Sequence, residues 1–174
     1  MLEAGDLTGK VRVASKSVVI AVHGVDGKFT AQNEQAVMNQ KYMRFIPRIL
    51  PIMVGGKVQF PNNERNLYHN VYSVSEVNEF NLGTYRAGTA KSVTFNDTGI
   101  VEIMCSIHVR MYAAIIVLAN PFFSIVNDDG TFIINDIPPG RYNVDTYYIG
   151  DYEVVRERTT VNIPLVGQAV FEAN

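Results

Sequence analysis

The sequence predicts an all-β protein built of sandwiches, and three observations carry that expectation. Short runs rich in Val, Ile, Phe, Tyr and Thr recur along the whole chain, clusters of turn residues separate them, and apolar residues at helical spacing are nearly absent. Branched and aromatic side chains suit a pleated, half-buried surface, whereas Gly, Pro, Asn and Asp supply the backbone conformations of tight turns. Many such segments without helices to cover them pack as sheet on sheet.

Taken in order, strands are predicted at residues 11–13 and 17–22, before the turn Asp26-Gly27. Residues 34–43 carry only a weak helical pattern, enough for a turn or two, and read as a connector. Strands follow at 57–60, between Gly55-Gly56 and Pro61-Asn62-Asn63, then at 71–74, and at 92–95 before Asn96-Asp97-Thr98-Gly99. Residues 100–104 and 113–118 form two more, and Asn120-Pro121 then marks a boundary, because Pro ends strand pairing. Beyond it, strands are predicted at 131–134 after Asp128-Asp129-Gly130, at 142–148 after Pro138-Pro139-Gly140, and at 160–163.

Composition narrows the function classes. A chain of 174 residues with 47% apolar and 10% aromatic content can build one core or two. Fifteen basic against 17 acidic residues give a net charge of −2, without the electrostatic footprint of a nucleic-acid binder or a basic run for a membrane surface. The longest apolar run, 111–119, falls well short of the roughly 20 residues that cross a bilayer. The start, Met-Leu-Glu-Ala-Gly-Asp, has no basic-then-apolar export signal, so a cytosolic chain or a mature form with its signal removed is expected. One cysteine makes no internal disulfide and does not report the redox compartment.

The densest chemistry lies in Cys105-Ser-Ile-His108-Val-Arg-Met111, where the sole cysteine is followed by histidine and methionine at intervals of three. A thiolate, an imidazole and a thioether form a soft set that favours copper. With His69 in Tyr68-His69-Asn70-Val71, the inventory of two His, one Cys and one Met matches that of a blue-copper electron-transfer site. Cys105 would close one strand, His108 would occupy a loop, and Met111 would open the next strand, with His69 supplied by a separate loop. A lone cysteine is more often a small core residue and Met a core filler, but three soft donors on one loop argue against coincidence. Nucleophilic catalysis by Cys105 lacks an orienting acid in the loop. His23 reads as a turn residue with no metal role, and Asp128-Asp129 and Glu76 with Glu79 as solvated turns. The sequence offers neither a phosphate-binding Gly loop nor a Cys-x-x-Cys zinc motif.

Residues 45–118 resemble the cupredoxin family: Gly55-Gly56-Lys-Val-Gln-Phe-Pro-Asn precedes the first histidine, Asp97-Thr-Gly99 precedes the cysteine strand, and the ligand loop has the short amicyanin-type length. The resemblance implies a Greek-key β-sandwich with one type 1 copper. It makes His69, Cys105 and His108 the equatorial ligands and Met111 the axial one, with Asn70 and Ser106 tying the ligand loops together. The loop departs from the amicyanin type in having Ile107 and Val109, not proline, beside His108, and in carrying Arg110. Asn127-Asp-Asp-Gly-Thr-Phe through Pro-Pro-Gly-Arg-Tyr-Asn-Val is similar to carboxypeptidase regulatory-like, or transthyretin-like, sandwiches, as are Gly9-Lys-Val-Arg-Val, Val18-Val-Ile-Ala-Val and Gly27-Lys-Phe. The expected organisation is a cupredoxin domain at 36–119, inserted in a small transthyretin-like sandwich of 1–35 plus 120–174. The alternative is an N-terminal strand pair that joins the cupredoxin sheet.

The whole order also resembles exported bacterial proteins labelled methylamine-utilisation-like cupredoxins, which implies a periplasmic or otherwise exported location. The expected function is one-electron transfer between redox protein partners, in solution or in a membrane-associated redox complex. No enzyme activity, small-molecule substrate or nucleic acid is expected. Tyr68, Val109, Arg110 and Tyr112 would surround the docking patch beside His108. The competing readings are a copper-delivery protein that does not cycle and a structural protein that self-associates through strand edges.

Overall fold

The structure, a computed structural model, describes residues 4–13, 17–31, 35–164 and 169–173. The described residues form strands and turns without a helix, and no helix is long and apolar enough to cross a membrane. The chain opens with β1 (Gly5–Val13) and β2 (Val18–His23). There follow β3 (Ala36–Val37), β4 (Asn39–Lys41), β5 (Arg44–Ile46), β6 (Ile49–Met53), β7 (Lys57–Pro61) and β8 (Tyr68–Ser73). Next come β9 (Phe80–Arg86), β10 (Ala90–Thr94), β11 (Gly99–Met104) and β12 (Tyr112–Leu118). The chain closes with β13 (Phe123–Ile125), β14 (Thr131–Ile137), β15 (Gly140–Ile149), β16 (Val154–Ile163) and β17 (Ala169–Ala173). Two compact units result, one continuous (Thr30–Ala119) and one split (Met1–Phe29 with Asn120–Asn174).

In the split unit the sheets run β14-β1-β17 and β13-β2-β15-β16. β1 pairs antiparallel with β14 and parallel with β17, while β2 lies antiparallel to β13 and β15. Both N-terminal strands thus find their partners in the C-terminal segment. Period-two alternation on β2 sends Val18, Ile20 and Val22 into a core with Leu7, Ile137 and Val144.

A charged knot interrupts the apolar pattern on β15. Asp145 is fully buried, and Arg158 grips it bidentately, Nε to Oδ1 at 2.6 Å and Nη2 to Oδ2 at 2.8 Å. The Tyr147 hydroxyl donates to Oδ2 at 3.1 Å, and His23 Nε2 lies 3.3 Å from the same oxygen. Desolvation pushes the Asp145 carboxyl up, but the Arg158 hydrogen bonds, with His23 and Tyr147, outweigh it and hold it below its ordinary value. A carboxyl depressed on folding contributes stability above its unfolded value near pH 4 and loses it as the pH falls through the folded value. Asp145→Asn is therefore expected to cost about 1–3 kcal/mol at neutral pH. It should also flatten the loss of stability below about pH 4, as read from urea unfolding at stepped pH.

The continuous unit has a five-stranded sheet β6-β12-β11-β8-β9, a three-stranded sheet β10-β7-β3 and the hairpin β4-β5. Its core is built on Phe45, Phe60, Phe95, Val101, Ile103 and Ile115. The connector expected at residues 34–43 is mostly strand, with Glu34 lying outside the described residues. Met38 and Gln40 are both fully buried, and β3 pairs in parallel with β7. That pairing is long-range, so a polar local sequence does not announce it. β9 was likewise unpredicted, because Asn81 and Gly83 break its apolar run. Leu82 and Gly83 of β9 together oppose the single residue Val71 of β8, a bulge in which Gly83 takes the left-handed φ of 67° that its lack of a Cβ permits.

Candidate metal centre

Three donors from two segments converge at one end of the continuous unit. β8 enters at Tyr68 and carries His69 inward, where the imidazole is fully buried and pairs across the ladder with Tyr85. β11 ends at Met104, and Cys105 follows it with 3% exposure. His108, half-buried, stands on the turn that Met111 closes by donating its backbone N–H to the His108 carbonyl at 2.8 Å. The nearest ligand atoms of His69, Cys105 and His108 all lie within 4.8 Å of one another. The two Nδ1 atoms face each other at 3.1 Å, with ring centroids 4.8 Å apart.

Met111 is 1% exposed and belongs to the same apolar cluster as Cys105. Asn70 joins the two segments. Its backbone N–H points at Cys105 Sγ at 3.5 Å, and its Oδ1 accepts from Ser106 N–H at 3.2 Å and from Ser106 Oγ at 3.1 Å. Its Nδ2 donates at 2.9 Å to Asn81 Oδ1, which also accepts the Gly83 N–H at 2.8 Å. The β9 bulge and the ligand strap therefore share one acceptor.

Several contributors carry no soft-ligand signal and were missed from sequence. Fully buried Asn62 donates to the carbonyls of Leu67 and Tyr85 at 3.0 and 3.1 Å, fixing the loop that delivers His69. Gln40 donates to the Tyr85 hydroxyl at 2.6 Å. Burial pushes that hydroxyl up to about 12, with Gln40 opposing and Cys105 adding to the shift. Glu64 Oε2 accepts the Met43 N–H at 2.7 Å and lies 3.9 Å from His69 Nε2, a buried nitrogen with no hydrogen-bond partner among the described residues. Burial, then His108, pushes the His69 imidazole below its ordinary value against the pull of Glu64, which leaves the neutral, metal-binding form in place.

Of the residues expected at a docking patch, Val109 is 85% and Tyr68 59% exposed, and Arg110 is also exposed. Tyr112 is not: it is 7% exposed and gives its hydroxyl to Glu102, because β12 is buried along its whole length.

The donor set fits a soft or borderline ion: the three residues lie close enough together to share one, and a thiolate with two imidazoles ranks copper above zinc.

No protein-family model matches this chain, and no curated protein matches it either. Among solved structures, the chain is similar to the Cu-containing nitrite reductase of Thermus scotoductus SA-01, at 25% identity and a TM-score of 0.46 over 49% of this chain. It spans 22% of the nitrite reductase's length. It is also similar to a purple cupredoxin from Nitrosopumilus maritimus, at 21% identity and a TM-score of 0.45, over 48% of this chain and 100% of that one. A reduced variant of amicyanin matches at 19% identity and a TM-score of 0.46, over 57% of this chain and 98% of that one.

Proposed function

We propose that the protein is a single-copper electron carrier of the type 1 kind, working between redox partners outside the cytoplasm. The observation that carries this reading is the convergence of the His69 and His108 imidazoles with the Cys105 sulfur, two of the three residues being buried. His69, Cys105 and His108 would hold the ion, with Met111 as a further donor. Copper there would supply a one-electron couple, which two imidazoles, a thiolate and a thioether suit in both oxidation states.

The chain's own residues do the rest. Asn70 presents an N–H to the sulfur and locks the Cys105 loop to β8, so the donors keep their places when the charge changes. Burial of His69 and Cys105 would keep water from an ion held there. Half-buried His108 is the donor closest to solvent and the natural exit for an electron. Under this proposal the split unit is a transthyretin-like scaffold, and the chain acts in the periplasm or a comparable exported setting.

Voltammetry of the copper-loaded protein tests the proposal: a reversible one-electron wave with fast self-exchange is expected. Irreversible waves, together with ready transfer of Cu(I) to a chelating acceptor, would assign the site to copper delivery instead.

A further inference from the structure

The net charge of −2 conceals a strong polarity within the continuous unit. Strand directions bring four segments to the end where the donors lie. Tyr68 opposite Arg86 marks the rim, Asn62 N–H bonds the Thr89 carbonyl at 2.8 Å, and the tip of the β4-β5 hairpin bonds Glu64 through Met43. The ligand loop 105–111 joins them between β11 and β12. At the other end, Gly55 N–H bonds the Phe95 carbonyl and Asn78 reaches the Asp97 carbonyl, which gathers loops 54–56, 74–79 and 95–98.

The two ends carry opposite charge. Arg44, Arg65, Arg86 and Arg110 are exposed at the ligand end, and no ion pair joins any of them to a carboxylate among the described residues. Lys41 stands beside them, its Nζ 5.0 Å from the centre of the Tyr42 ring. Of the carboxylates near that end, Glu64 has a side chain only 13% exposed and is occupied by Met43 N–H, and Glu102 takes the Tyr112 hydroxyl. The far end presents Glu76, Glu79 and Asp97 to solvent, against Lys57 alone. The same end exposes apolar side chains on two of these segments, Val109, Tyr68, Ile107 and Leu67, by 85, 59, 46 and 36%.

We propose that the ligand end docks an acidic redox protein, whose carboxylates ring an apolar contact face of its own. The exposed apolar side chains make the close contact beside His108. The arginines steer and select the partner, since complementary potentials raise encounter rates by tenfold or more and exclude like-charged proteins. This rests on the electron-carrier reading, but the surface itself can be examined without copper.

The test has two arms. In the first, the isotope-labelled, metal-free full chain is titrated with hexaglutamate as the acidic probe. Amide shifts are expected at residues 42–44, 65–68, 86–88 and 107–110 and not at 76–79. They should vanish in the double variant Arg65→Glu with Arg110→Glu, persist in Lys57→Glu, and fade as the Debye length shrinks with salt. In the second, the Cu(I) protein is oxidised by anionic ferricyanide and by a cationic cobalt(III) phenanthroline complex. Ferricyanide should slow with added salt and slow by tenfold or more in the double variant at low salt, while the cobalt complex should do the reverse.

Shifts spread over both ends, an unchanged double variant, or preferential binding to anionic phospholipid vesicles over the peptide would overturn the proposal. Localised peptide binding without reversible copper chemistry would uphold the acidic-partner surface and remove the redox reading of it, so the two fail separately.

Discussion

Copper-loaded protein is expected to show an intense visible band from thiolate-to-Cu(II) charge transfer, and Cys105→Ser to abolish it. The band needs a sulfur orbital in contact with the ion, and Cys105 is the chain's one thiol. Serine keeps the size but replaces a soft donor by a hard one that stays protonated at neutral pH, so affinity for Cu(I) should fall as well. Because Cys105 is 3% exposed and packs in the core, the substitution also places a hydroxyl among apolar neighbours, at a cost of about 1–3 kcal/mol. The far-ultraviolet spectrum should remain that of a β protein, which separates loss of the chromophore from loss of the fold. Stoichiometric copper in the unaltered protein without such a band would remove the type 1 proposal.

Asn70→Ala should give the second-largest effect, through assembly of the site. Its side chain satisfies Ser106 N–H, Ser106 Oγ and Asn81 Oδ1 from a position 3% exposed. Removing it takes these hydrogen bonds away from Ser106 and Asn81, both exposed enough to turn part of the lost bonding to water. A loss of about 2–3 kcal/mol is expected in urea unfolding of the metal-free protein. Copper affinity should drop about 10- to 100-fold in a competition titration, as when an outer-shell partner is removed. Asn70→Asp, which keeps the acceptor oxygen for Ser106, should recover part of both. Equal losses in the two variants would mean that the strap does not organise the donors.

How much of this was legible in the sequence depends on how local each signal is. The 105–111 loop could be read because three soft donors at intervals of three need only one turn to face the same way. His69 was reachable by residue type, not by distance in the chain. Asn81 and Gly83 were opaque, because their value lies in a bulge opposite Val71 that appears only once β8 and β9 pair. Glu64 reads as an ordinary turn carboxylate until the fold brings it 3.9 Å from a buried imidazole nitrogen. Tyr112 misled for the opposite reason: adjacency to a ligand suggested the surface, but every residue of β12 is buried. Arg44, Arg65, Arg86 and Arg110 are scattered widely along the chain, and only strand direction shows that they share an end. The strands of residues 36–46 were hidden because their partners lie far away and their sequence is polar.

The split unit has a consequence for the order in which the protein can be made. β1 and β2 leave the ribosome well before their partners β14, β15 and β17, which are more than a hundred residues further on. Only closing that long loop brings them home. The continuous unit is complete by Ala119 and can fold while the rest is still being synthesised. Until then Val18-Val-Ile-Ala-Val, an uncharged apolar strand segment, waits without its sheet and is the stretch most in need of a chaperone.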